Sequence, residues 1–169
     1  LDAVLRGLGE VVAEVGADRV RGLSFSSAMH SLMALDADNE PLTPVITWAD
    51  TRAAAEAEAL RADGAGLALH RRTGTPVHPM SPLVKLIWFR THEEDLHRTA
   101  AHWVGIKDWV MWRLTGEMVT DHSLASASGL MDIHRLAWDD EALSLAGIAP
   151  DRLPQLVPTT HVVPRLTAD

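Results

Sequence analysis

Three short stretches carry residues whose types and spacing bear on chemistry. In "VITWADTRAAAEAEAL" (45–60) an apolar, strand-like run ends in Trp48 and Asp50, Arg52 follows, and an Ala-rich helix begins almost at once. An indole at such a junction can stack on a ligand face while its N–H donates. The plainer reading is packing by Trp48 and capping by Asp50, whose carboxylate can accept from the free amides of a first helical turn. "FSSAMHSLM" (25–33) places Met29 and His30 at the tip of a polar, small-residue interruption between two strands. That is either a binding loop or an ordinary hairpin with a solvated imidazole. In "TDHSLASASGL" (120–130), Asp121 and His122 follow a strand and precede a run of small residues. They form either a pocket wall, or an N-cap with Ser126 and Ser128 closing a turn.

No self-contained catalytic motif accompanies them: the chain has no phosphate-cradling glycine loop, no nucleophile elbow and no HExxH. Of the nine histidines, His92, His97 and His102 are the closest group. Their spacing of five sets successive rings about 140° apart on a helix, which does not suit a zinc site. Trp88, Trp103, Trp109, Trp112 and Trp138 lie in apolar periodic segments and read as core. Trp48, with charge following it, does not.

The elements that must position these residues alternate between helix and short strand. An opening helix, apolar at Val4, Leu5, Leu8, Val11, Val12 and Val15, runs to Gly16. Strands at 19–26, 31–36 and 44–48 predict a small antiparallel meander. The helix after Asp50 ends by Gly64, and "HRRTGTPVHPM" (70–80) reads as loop. Ser81-Pro82 then opens the helix "SPLVKLIWFRTH". A charged helical stretch (93–100), a strand near Trp103 to Ile106 and a helix from Lys107 closed by Gly116 follow. Strands at 117–121 and 128–133 precede a final helix in "WDDEALSLAGI". The class is α/β or α+β.

Composition bounds the function. The chain has 169 residues, 47% of them hydrophobic, and a net charge of −8. Such a chain folds as a globule, and its acidity argues against a nucleic-acid partner. No apolar run approaches the roughly 20 residues that cross a bilayer, so a membrane role is not expected. With no cysteine there is no disulfide framework, which suits a cytoplasmic location. The chain opens on Leu1 already inside a helical pattern and ends in a Pro-punctuated stretch, so it reads as part of a longer one.

The three stretches, with "GTPVHPMSPLVKL", "IKDWVMWRLTGE" and the run from "TDHSLASASGLMDI" to "WDDEALSLAGI", stand in an order that resembles the FGGY carbohydrate kinases, which include glycerol, xylulose and gluconate kinases. "FSSAMHS" with "TWADTRA" is most similar to the gluconate kinase branch. The resemblance implies an α/β fold of the actin-like, RNase H-like type, with two lobes closing over MgATP and a sugar. Residues 1–169 would be an incomplete sugar-binding N-terminal lobe, a short mixed sheet with flanking helices. The opening phosphate-loop hairpin, the general-base aspartate and the nucleotide lobe would lie outside it.

The activity implied is transfer of the γ-phosphoryl group of ATP, with Mg2+, to a small-molecule sugar, polyol or sugar acid, gluconate being the first choice. These residues alone would then be inactive and bind neither ATP nor metal, and the full-length enzyme could form a homodimer. By position, Met29 and His30 fall where the family contacts the sugar and Trp48 where an indole packs on it. Asp50 caps the helix with a second role near substrate, and Arg52 clamps the junction. Asp121 precedes His122, which stands where glycerol kinases place a substrate-binding Tyr; the ring stays polar but its reach changes. For an anionic sugar, His30, Lys85 or Arg52 would supply the cation. The rival readings are a stand-alone sugar-binding module and a helical interaction domain.

Overall fold

The structure is a computed structural model, and residues 1–167 are described. Helix α1 (Asp2–Val15) ends where Gly16 takes a φ of 88° and its N–H bonds the Val12 carbonyl. No α1 residue is fully buried: Val4, Leu8 and Val12 are half-buried, while Leu5, Val11 and Val15 face outward. Strand β1 (Met33–Leu35) pairs antiparallel with β2 (His102–Val104), Met33 opposite Val104. Between them lie α2 (Ala54–Ala62), α3 (Ala65–Thr73), α4 (Pro82–His92) and α5 (Glu94–Thr99). Helix α6 (Ile106–Thr115) leads to β3 (Val119–Asp121) and the short α7 (His122–Ser126). A two-residue hairpin, β4 (Met131–Asp132) with β5 (Ala137–Trp138), precedes α8 (Asp140–Ala146). Finally β6 (Gln155–Val157) lies parallel to β3.

The core is built around α4. Leu83, Val84, Lys85, Leu86 and Phe89 are all buried, so apolar residues surround the axis, as expected for a central helix. Ala142, Leu143 and Ala146 of α8 complete the same cluster. Ala53 and Ala57 bring the start of α2 close against Val84. The Trp103 ring, 1% exposed, lies 4.9 Å from that of Phe89. Trp88 and Trp138 pack against this cluster and Trp109 against a smaller one, all three half-buried. Arg72 donates to Asp139 at 2.8 Å, and Asp139 caps α8 by accepting from the Ala142 N–H. That pairing ties α3 to α8.

Several expectations are corrected. Residues 20–28 form no strand, because their backbone finds no ladder among the described residues. Of the meander there remains a loose antiparallel pairing of 32–36 with 40–46: reciprocal Leu32–Ile46 bonds (2.9 and 2.8 Å), Leu42 N–H to the Ala34 carbonyl (2.9 Å), Asp36 N–H to the Glu40 carbonyl (3.0 Å) and a bridge from Leu35 to Pro41. The strand partner of β1 comes instead from beyond α5. Residues 70–73 are helical, and the chain leaves α3 only at Gly74, whose φ of 70° closes it. The strand at 128–133 shortens to β4. Three two-stranded sheets stand in place of one mixed sheet.

Candidate functional site

The loop before β1 presents Met29, 39% exposed, and then His30. His30 has a φ of 65°, a left-handed conformation that a non-glycine residue adopts only when its surroundings impose it. Its Nδ1 lies 2.9 Å from the Ala127 carbonyl just past α7. A carbonyl only accepts, so Nδ1 carries the hydrogen and Nε2 is left as an acceptor. Burial lowers the imidazole pKa, against the Ala127 bond, which raises it; Lys85 and His78 lower it further. The ring is therefore neutral at pH 7.

The second edge is the segment ending in Trp48. Trp48 is 60% exposed, unusual for a tryptophan that follows a strand-like run. The helix cap expected of Asp50 does not form, since α2 starts at Ala54 with no side-chain cap. Asp50 instead closes a tight turn on Arg52. It accepts from the Arg52 N–H at 3.0 Å, from Nε at 2.9 Å and from a terminal guanidinium nitrogen at 2.9 Å. This fork holds the Asp50 carboxyl below its usual pKa. The guanidinium also lies over the Trp88 ring, 4.9 Å from its centroid. Arg52 is thus the clamp of the junction, as the sequence suggested.

The third edge follows β3. Asp121 caps α7, its Oδ1 accepting from the N–H groups of Ser123 (3.0 Å) and Leu124 (3.3 Å). Its Oδ2 pairs with Lys107 of α6. Both oxygens are committed, so the capping reading describes what Asp121 does here. His122 is half-buried as the first residue of α7. Ala127, which His30 bonds, lies about 7.5 Å further along at 1.5 Å per residue, so the two histidines flank one short helix.

Met29 and His30 line a cleft of about 60 Å³ with Lys107, Asp108, Thr120 and Ser128. Asp121 lines a separate groove of about 670 Å³, walled by Leu8, Val12, Phe25 and Met111 among others. Trp48, Asp50 and His122 line neither. The structure therefore joins His30 to the Trp48 segment and to α7, without enclosing all six residues in one cavity.

None of the nominated cations is free. Arg52 is spent on Asp50, and His30 is neutral. Lys85 is fully buried, with Nζ donating to the His30 carbonyl at 2.7 Å and the Thr47 carbonyl at 2.8 Å.

Sequence reasoning missed Asp108. It is buried, and its Oδ2 accepts from the Gly105 N–H at 2.9 Å. Burial raises its pKa to about 6. The only sequence signal was a carboxylate in the first turn of the "IKDWV" helix. His97 also proved structural, Nε2 bonding the Ala146 carbonyl at 2.9 Å. Among the described residues no group of three His, Asp or Glu side chains is placed to hold a metal ion. No described helix is long and apolar enough to cross a membrane.

The family model described as "FGGY family of carbohydrate kinases, N-terminal domain" matches residues 1–169. The chain belongs to the FGGY family. This FGGY domain is 43% identical to the gluconokinase of Bacillus subtilis (strain 168) over 160 residues, covering 95% of this chain and 31% of that protein. Its fold matches the crystal structure of gluconate kinase from Lactobacillus acidophilus with a TM-score of 0.90 at 34% identity, over 94% of this chain and 32% of that one. Ligand-bound xylulose kinase from Lactobacillus acidophilus follows, with a TM-score of 0.88 at 33% identity, over 99% of this chain and 35% of that one. The chain thus spans about a third of the length of the curated relatives it matches. The α/β architecture is that of the actin-like ATPase fold of FGGY kinases, whose members use ATP.

Proposed function

We propose that the full-length protein transfers the γ-phosphoryl group of ATP to a hydroxyl of a small sugar or sugar acid, gluconate first. Residues 1–169 would form the sugar-binding part of its N-terminal lobe. The observation that carries the substrate choice is the 43% identity to a gluconokinase over 95% of the chain. Phosphoryl transfer depends on positioning and charge neutralisation more than on covalent chemistry, and positioning is what these residues offer. The open face of Trp48 can cover the C–H face of a sugar. The free Nε2 of His30 can accept from a hydroxyl, Met29 borders the same loop, and His122 approaches from the far end of α7. Asp50 and Asp121 serve the site by holding Arg52 and the start of α7.

ATP, with Mg2+, would supply the phosphoryl group. The described residues show neither a glycine-rich phosphate turn nor a carboxylate cluster for the metal, so neither group is assigned ligands here. None of the three nominated cations is free, so a sugar acid's carboxylate would be met by another group of the full-length protein. A cytoplasmic enzyme, working as a homodimer on small molecules and apart from nucleic acid and membrane, completes the reading. A coupled ADP-release assay of the full-length protein with gluconate, xylulose and glycerol tests it. Gluconate is expected to give the highest kcat/KM; turnover of none of the three, with folded protein, would sink it.

A further inference from the structure

Lys85 lies in the middle of the central helix, and its side chain is 0% exposed. A buried ammonium is costly unless its hydrogen bonds repay the loss of water. A methionine would fill the same volume without that cost. What the ammonium gains is specific: its two bonds run to the carbonyls of His30 and Thr47. These are the backbone of the imidazole-bearing residue and the residue just before the indole.

Toward the turn, the Leu42 N–H donates to the Ala34 carbonyl at 2.9 Å and the Ala34 N–H to Thr43 Oγ1 at 3.1 Å, but at the ends that bear His30 and Trp48 direct bonds between the two segments are few. They share the reciprocal Leu32–Ile46 bonds. His30 must also be kept at a φ of 65°, which a loose loop would relax. Thr47 O in turn accepts from the Asp50 N–H at 3.2 Å, so the same carbonyl anchors the Asp50–Arg52 turn. Resting on the sugar-kinase reading, we propose that Lys85 is a positioning residue of the sugar site: its ammonium pins the His30 and Thr47 carbonyls and fixes the gap between the imidazole and the indole.

The charged groups around it act in both directions. Asp50 favours the ammonium and Arg52 opposes it, while burial lowers its pKa to about 8. His30 and His78 stand on the loop side. Below about pH 8 the bonds are charge-assisted; as pH rises through that value the neutral amine donates more weakly. Sugar affinity should therefore fall on the alkaline side.

The test compares full-length wild type with Lys85→Met and Lys85→Gln. Amide hydrogen exchange is followed by mass spectrometry in peptides covering 27–33, 44–50 and 83–92. Lys85→Met is expected to speed exchange about tenfold or more in the first two, with α4 little changed. Its sugar KM at saturating ATP should rise about tenfold, with kcat within about threefold. Lys85→Gln keeps two N–H donors without a charge. It should hold the segments better than Met and lose the rise in sugar KM that wild type shows above about pH 8. Wild-type exchange and KM in Lys85→Met would overturn the proposal. So would a uniform loosening of α4 with the loops in both variants, or an unchanged alkaline rise in Lys85→Gln. If the wild type phosphorylates none of the sugars, the functional reading fails, while the exchange data still decide whether Lys85 pins the segments.

Discussion

Replacing Trp48 by Ala separates a pocket wall from a core residue, because the two roles predict opposite patterns. At 60% exposure, the residue buries at most about 100 Å² of the ~250 Å² a Trp can bury. At ~25 cal/mol per Å² that sets a ceiling of about 2.5 kcal/mol, and an extended-chain reference overstates it. Trp48→Ala should thus cost about 1–2 kcal/mol, below the ~3–5 kcal/mol of a buried aromatic truncation. Trp103→Ala, at 1% exposure, is the internal control and should show the larger loss. A sugar face stacked on the indole contributes about 1–2 kcal/mol, so the sugar KM of Trp48→Ala should rise ~5- to 30-fold. The KM for ATP should barely move, since the nucleotide is expected on the other lobe. Thermal melting and steady-state kinetics of the full-length variant measure both quantities. A melting loss as large as that of Trp103→Ala, with an unchanged sugar KM, would refute the reasoning and return Trp48 to a packing role.

Two further outcomes follow from the same geometry. His30→Asn keeps a residue type that tolerates positive φ but withdraws the Nε2 acceptor and the bond to the Ala127 carbonyl; sugar KM should rise about 5- to 10-fold, with a stability loss of only about 1 kcal/mol. Because burial depresses the His30 pKa below 6.5, wild-type KM should worsen on acidification only below that pH, and a break above it would contradict the assignment. For Asp108, the folded pKa of about 6 lies above the ordinary 3.8, so the folded state binds the proton more tightly. Its contribution is present below about pH 4 and lost as pH rises through 6, an upper bound of about 3 kcal/mol for that shift. Asp108→Asn, melted at pH 4.5 and pH 7, should lose less stability between those two values than wild type; parallel changes would show that Asp108 is not buried as described.

Local signals were legible where a helix carried its own punctuation. Ser81-Pro82 opened α4 and Gly116 closed α6, because a fixed proline φ and a left-handed glycine act on their own neighbours. Sheet partners were not legible. Met33 pairs with Val104 and Val119 with Gln155, and strands of three residues carry too little pattern to choose between near and distant partners. The helix restart at Ala65 was hidden because Gly64, at a φ of 82°, reads equally well as an ending. In the site, the change in polarity after Ile46 marked Trp48 as unlike the other indoles, and its exposure agrees. Asp50 was misassigned because a carboxylate two residues before an arginine has a nearer partner than a helix N-terminus. Lys85 was read as a free cation, although the apolar residues on both sides of it in "SPLVKLIWF" place it in the core.

That last case bears on how such a lobe holds binding loops at all. Strands β1 and β2 are three residues each, so ladder bonds alone cannot fix the loops that lead into them. The chain uses isolated polar anchors instead. Lys85 takes two carbonyls, Asp108 takes the Gly105 N–H, and Ser31 Oγ accepts from the Ile106 N–H at 3.0 Å. Each anchor joins a loop or a segment end to a helix, and two of the three are buried ionisable groups whose pKa values are displaced by burial. An apolar replacement would cost less desolvation but would leave those backbone groups without a defined place. On the proposed reading, the stability forgone at Lys85 is the cost of holding His30 and Trp48 where a sugar can meet both, while that at Asp108 fixes the start of α6.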